Sequence, residues 1–205
     1  MKKLLFAFIA AMALAALPVS VKADILTFTT TLSGANEVPP VASPGTGTAV
    51  VTVDTVANTM TVSANFSGLL TTTGTGATSG TTAAHIHCCM PPGMNAGVAT
   101  TVPSFPGFPL GVTSGTFLNT FDLSATSTYN PAFVTAQGGT VTGARAAFLA
   151  GLQNGLTYFN IHTNAFGGGE IRGQLQAVPE PATMILLGTG LAAIAGRKLR
   201  RRRSE

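Results

Sequence analysis

Five side chains in this 205-residue sequence are suited to metal or redox chemistry: His85, His87, His162, Cys88 and Cys89, which are all of its histidines and cysteines. Alternate residues of a strand face alike. In AAHIHC, His85 and His87 therefore share one face, while Ala84, Ile86 and Cys88 share the other. In LTYFNIHT, Phe159 and Ile161 take the core face, so Tyr158, Asn160 and His162 point the opposite way. If the two strands are neighbours, three imidazoles converge. Three nitrogen ligands suit Zn or Cu. The competing reading makes these histidines polar outer-face residues. They would then bond to Glu170, to Asn160 or to backbone and fix a hairpin and a loop.

The cysteines allow three outcomes. Thiols tend to pair in the oxidising compartments of exported proteins. Adjacent cysteines can pair only as a vicinal disulfide. They can also stay free or pair between molecules. Finally, Cys89 shares the histidine face and could act as a fourth metal ligand. A second candidate site is Asn160, Glu170 and Arg172, expected on the outward face of the closing hairpin with His162.

Catalytic motifs are missing. The five acids of the central segment are scattered and make no paired-carboxylate case. No nucleophile motif frames a serine. Gly167-Gly168-Gly169 lacks the Lys and Ser/Thr of a phosphate loop and reads as a turn. The chain is not expected to be an enzyme.

The elements that position these residues are mostly strands. Thr and Val favour strands, and turn residues recur at short intervals. Strands are predicted over 25–33, 46–54, 59–69, 82–88, 113–124, 156–163 and 170–177. Inward positions are Phe28 and Leu32, then Ala49, Val51 and Val53, then Met60, Val62, Ala64 and Phe66, then Phe117 and Phe121. The Thr/Gly run over 71–82 is a flexible connection. The loop over 89–111 is long and proline-rich. Phe105 and Phe108 predict that it packs down on the domain. One helix is expected over 142–154, capped by Thr142, with Ala144, Phe148 and Leu152 as its apolar stripe and Gly155 as its stop. This pattern predicts an all-β fold: an antiparallel β-sandwich with one short crossover helix.

The two ends read as addresses. Lys2 and Lys3, the apolar run from Leu4 to Leu17 and Val21-Lys22-Ala23 make a signal peptide over 1–23. At the other end come Pro179-Glu180-Pro181, an apolar stretch from Ala182 to Gly196, and the cluster RKLRRRR. A permanent anchor is the weaker reading, because fifteen helical residues reach only about 22 Å. The domain between spans 24–178. It holds two basic residues, Arg145 and Arg172, against Asp24, Glu37, Asp54, Asp122 and Glu170. The basic pI near 9.5 therefore belongs to the tails and gives no reason to expect nucleic-acid binding.

The tail over 179–205 resembles the PEP-CTERM sorting signal of Gram-negative bacteria: triplet, hydrophobic helix, basic end. That resemblance implies an inner-membrane intermediate held by the C-terminal helix. It also implies processing by an exosortase-type enzyme and delivery to the cell surface or extracellular matrix. The domain resembles the CHRD family, first named from chordin. Three blocks carry the likeness: LSGANEVPPVASPGTGTA from Leu32, AAHIH from Ala83, and YFNIHTNAFGGGEIRGQL from Tyr158. The resemblance implies an immunoglobulin-like or superoxide-dismutase-like β-sandwich and no agreed activity. The His-x-His pair is similar to copper ligands of Cu/Zn superoxide dismutase. That enzyme needs further histidines and an aspartate, and this chain has no fourth histidine. The expectation is an exported, non-enzymatic module that binds a matrix or polysaccharide component or itself. The alternative is a Cu- or Zn-binding or redox protein using His85, His87 and His162.

Overall fold

A computed structural model describes residues 25–72 and 80–178. The expected signal peptide over 1–23, the Pro179-Glu180-Pro181 triplet and the expected C-terminal helix lie outside the described residues. Among those described, no helix is long and apolar enough to cross a membrane.

Eight strands follow in chain order: β1 Ile25–Ser33, β2 Thr46–Asp54, β3 Thr59–Ser67, β4 Thr81–Cys88, β5 Gly115–Asp122, β6 Thr157–Thr163, β7 Ile171–Gln174 and β8 Gln176–Ala177. Two α-helices lie between β5 and β6: α1 Pro131–Ala136 and α2 Val141–Gln153. The strands pair in the order β4-β6-β7-β1-β2-β3-β5, with β8 also on β1. Every pairing is antiparallel. The all-β antiparallel expectation holds. The two separate sheets of a sandwich do not appear: one continuous sheet curls into a half-barrel.

Phe105 shows what drives the curl. It comes from the long loop and is 2% exposed. Its ring centroid lies 5.9 Å from Phe117 and 5.1 Å from Phe121 on β5, and 6.1 Å from Phe159 on β6. Residues from opposite ends of the strand order thus share one aromatic centre. Burying such rings stabilises the closure by roughly 2–3 kcal/mol per side chain. The expected inward sets of β2 and β3 are all buried. Phe108 stacks on Phe66 at 5.5 Å.

An exposed sheet edge invites pairing with other chains. The loop after β4 covers that edge. Thr81 N–H donates to Val112 O, Gly111 N–H to Thr81 O, Phe105 N–H to Ala84 O and Ala99 N–H to Ile86 O. The loop therefore packs down, as its phenylalanines predict.

Three local expectations change. The principal helix is capped by Thr140, whose Oγ1 accepts from Gly143 N at 3.1 Å, and not by Thr142. A second helix, α1, precedes it, with Asn130 Oδ1 accepting from Ala132 N and Pro131 opening the first turn. The final strand breaks at Leu175, which is fully buried and donates its N–H to Thr157 O.

Candidate metal centre

Strands β4 and β6 are neighbours. Their register sets His85 opposite Asn160, Ala83 opposite His162 and His87 opposite Tyr158. Opposed residues of an antiparallel pair project to the same face. The three imidazoles therefore meet, with ring centroids 6.0 Å apart for His85–His87, 5.2 Å for His85–His162 and 5.9 Å for His87–His162. One ring nitrogen of each lies within 4.8 Å of one from each of the others.

Backbone carbonyls orient all three rings. His85 Nε2 is 2.7 Å from Pro103 O, His87 Nδ1 is 2.8 Å from Ala96 O and His162 Nδ1 is 3.0 Å from Gly167 O. A carbonyl oxygen only accepts, so each of these nitrogens carries the hydrogen. In the neutral ring the other nitrogen then holds a lone pair. Those nitrogens are His85 Nδ1, His87 Nε2 and His162 Nε2. All three are buried and have no hydrogen-bond partner among the described residues.

Burial disfavours the charged form of all three rings. Burial, then the His162 imidazole, pushes His85 down to about 4, against the Pro103 hydrogen bond that favours the charged form. Burial also lowers His87 to about 4, opposed by its bond to Ala96 and aided by His162, His85 and Arg172. His162 is lowered as well, again by burial, with its Gly167 bond opposing.

The face that carries them is not open. The alternation of apolar residues puts Asn160, Glu170 and Arg172 outward, yet they are 2%, 0% and 4% exposed. Segments 34–43 and 89–111 pack over them. Glu170 Oε1 accepts from Ser43 Oγ at 2.6 Å and from Leu70 N at 2.8 Å, and its Oε2 accepts from Thr163 Oγ1 at 2.6 Å. It ties three segments together and makes no bond with Arg172. The guanidinium of Arg172 instead donates to Asn36 O at 2.6 Å and Asn95 Oδ1 at 2.8 Å. It lies 4.4 Å from the Tyr158 ring centre, and Tyr158 stacks on His87 at 4.6 Å. The outward reading of these three residues is therefore corrected: they are a buried support, not a surface site.

Sequence reasoning missed Glu37 and Tyr158. Glu37 Oε2 is 3.8 Å from Arg172 Nε, and both side chains are buried. Burial raises the Glu37 carboxyl to about 7, although Arg172 and the Val38 backbone pull it down. At that separation the ion pair does not offset the lost water. Glu37 stands in the first family-like block, but only the folded register reveals that it meets Arg172. Tyr158 Oη takes the N–H of Ala96 at 3.1 Å, beside the carbonyl that holds His87.

Cys89 does not join the histidines. Cys88 and Cys89 form a vicinal disulfide packed against α2. A Cβ placed on Gly151 would sit 2.5 Å from Cys88 Sγ and 2.9 Å from Cys89 Sγ, so only glycine fits there.

A curled antiparallel sheet with a buried three-histidine cluster is thus the class this chain presents. More narrowly, the chain belongs to the CHRD domain family, whose model matches residues 28–175. A PEP-CTERM protein-sorting motif matches residues 177–202. That motif marks an exported protein, sorted by an exosortase-type enzyme to the cell surface of a Gram-negative bacterium. No curated protein and no solved structure matches the chain.

Proposed function

We propose that this exported CHRD-domain protein binds a transition-metal ion, copper or zinc, through His85, His87 and His162. One observation carries the reading. Three buried ring nitrogens carry lone pairs that no donor among the described residues satisfies, and the same three imidazoles bring ring nitrogens within 4.8 Å of one another. Leaving a buried acceptor unpaired costs about 1–3 kcal/mol. A single water offers only two hydrogens for three acceptors. A cation meets all three at once.

The dimensions support the reading. Nitrogens no more than 4.8 Å apart lie at most about 2.8 Å from a common centre, and Zn–N bonds of about 2.0–2.1 Å need each to draw in by less than about 1 Å. Each ligand candidate also donates its other N–H to a carbonyl, the arrangement that orients metal-bound histidines. A bound ion would supply Lewis acidity or, as copper, one-electron chemistry.

The module acts at the cell surface or in the polysaccharide matrix, as a binding protein and not as an enzyme. Supporting this, each imidazole spends its N–H on backbone and none activates a hydroxyl or thiol. Thermal unfolding of the purified protein with and without added metal tests the reading. Ion at 100 times its Kd adds about 2.7 kcal/mol, a rise of at least about 5 °C for a domain of this size. His162→Ala abolishes the rise. A wild-type melting temperature indifferent to both Zn and Cu rejects the reading.

A further inference from the structure

The charges around the cluster discriminate between ions. We propose that the site is built for the monovalent, three-coordinate cuprous ion, Cu(I), in preference to Zn(II) or Cu(II). This inference rests on the metal-binding reading and narrows it.

The donor set is neutral. All three ligand nitrogens belong to imidazoles whose N–H groups are fixed on carbonyls. No fourth histidine, cysteine or carboxylate joins the group among the described residues. The carboxylates of the described residues lie outside the group. Both oxygens of Glu170 are held by Ser43, Leu70 and Thr163. Glu37 faces Arg172. Asp54 Oδ1 accepts from Val56 and Ala57 at one turn, and Asp122 Oδ1 from Ser124 at another. The two sulfurs are joined to each other and supply no thiolate.

A guanidinium, with the Glu37 carboxyl 3.8 Å from its Nε, stands behind the site. The Arg172 guanidinium, the Tyr158 ring and the His87 imidazole form one stack, with successive spacings of 4.4 and 4.6 Å. The guanidinium is therefore within about 9 Å of a ligand ring, through a medium far less screening than water.

These facts weigh unequally on the candidate ions. The cost of moving an ion into a poorly polarisable interior rises with the square of its charge, so a dication pays about four times what a monocation pays. Repulsion from Arg172 is twice as large for the dication, and the Glu37 carboxyl beside it offsets only part of that. Dications normally recover this from anionic ligands or from a fourth donor. Zn(II) takes four ligands, and Cu(II) prefers a tetragonal set. Three neutral nitrogens beside a buried guanidinium offer neither. Cu(I) accepts three donors and carries the smaller charge.

Competition titrations of the purified protein test this. Cu(I) is titrated without oxygen, with ascorbate, against a chromogenic Cu(I) chelator. Zn(II) and Cu(II) are titrated against chelators of known affinity. The expected result is Cu(I) held at least ten-fold more tightly than either dication, with X-ray absorption showing three nitrogen neighbours. Arg172→Gln narrows the gap and Arg172→Lys preserves it. The wild-type comparison decides the matter even if these variants fold poorly. Zn(II) or Cu(II) binding more tightly than Cu(I) overturns the inference and leaves the metal site standing. No ion bound at all removes both.

Discussion

His85 Nε2 lies 2.7 Å from the carbonyl oxygen of Pro103, and this contact decides which lone pair His85 offers. The carbonyl fixes the hydrogen on Nε2 and leaves Nδ1 bare. Pro103 belongs to the long loop that covers the β4 edge. The loop that closes the fold therefore also sets the chemistry of the cluster.

Acid weakens the metal-free fold. The folded pKa of His85 and of His87 is about 4, below the ordinary 6.5. Between those values the unfolded chain takes up protons that the folded chain refuses. Their contribution is complete above pH 6.5 and is lost as pH falls towards 4. Glu37 acts oppositely: raised to about 7 from 4.5, it favours the fold at low pH and loses that contribution as pH rises through 7. Two histidines, with His162 shifted in the same direction, outweigh one glutamate, so stability rises from pH 4.5 to 6.5 with a net slope on the order of 1 kcal/mol per pH unit or more. Glu37→Gln makes the rise steeper. Urea midpoints across that range measure both effects.

Glu170 holds three segments at once, so its loss is expensive. Glu170→Ala leaves Ser43 Oγ, Leu70 N and Thr163 Oγ1 without their shared acceptor. The expected cost is about 3 kcal/mol or more. Glu170→Gln keeps an acceptor for Ser43 and Leu70 and costs about half as much. Chemical denaturation separates the two.

Gly151 lets α2 approach the disulfide. Gly151→Ala brings a methyl group against both sulfurs. Overpacking of this kind costs about 1–3 kcal/mol despite alanine's better helix propensity. A lower melting temperature with an unchanged circular dichroism spectrum is the expected result.

Strand boundaries were the legible part of the fold. β1 and β2 begin and end where alternation and turn residues predict. The parity of His85, His87 and His162 was legible too, because it follows from strand period alone. What lay over that face was not. Alternation says which way a side chain points, but not whether a loop sixty or more residues away will cover it, as 34–43 and 89–111 do for Arg172 and Glu170. The neighbouring of β4 and β6 depends on a crossover through α1 and α2, which no local pattern encodes. Six-residue α1 is too short to show a period, and Leu175 interrupts the last strand inside an otherwise regular run.

The central claim is that His85, His87 and His162 hold one ion. Elemental analysis of the protein purified from the cell envelope, after exhaustive dialysis, addresses it most directly. The account predicts close to one copper or zinc per chain, copper foremost, and none in His162→Ala. A folded wild-type protein without stoichiometric metal, unable to retain either ion when it is supplied, contradicts it.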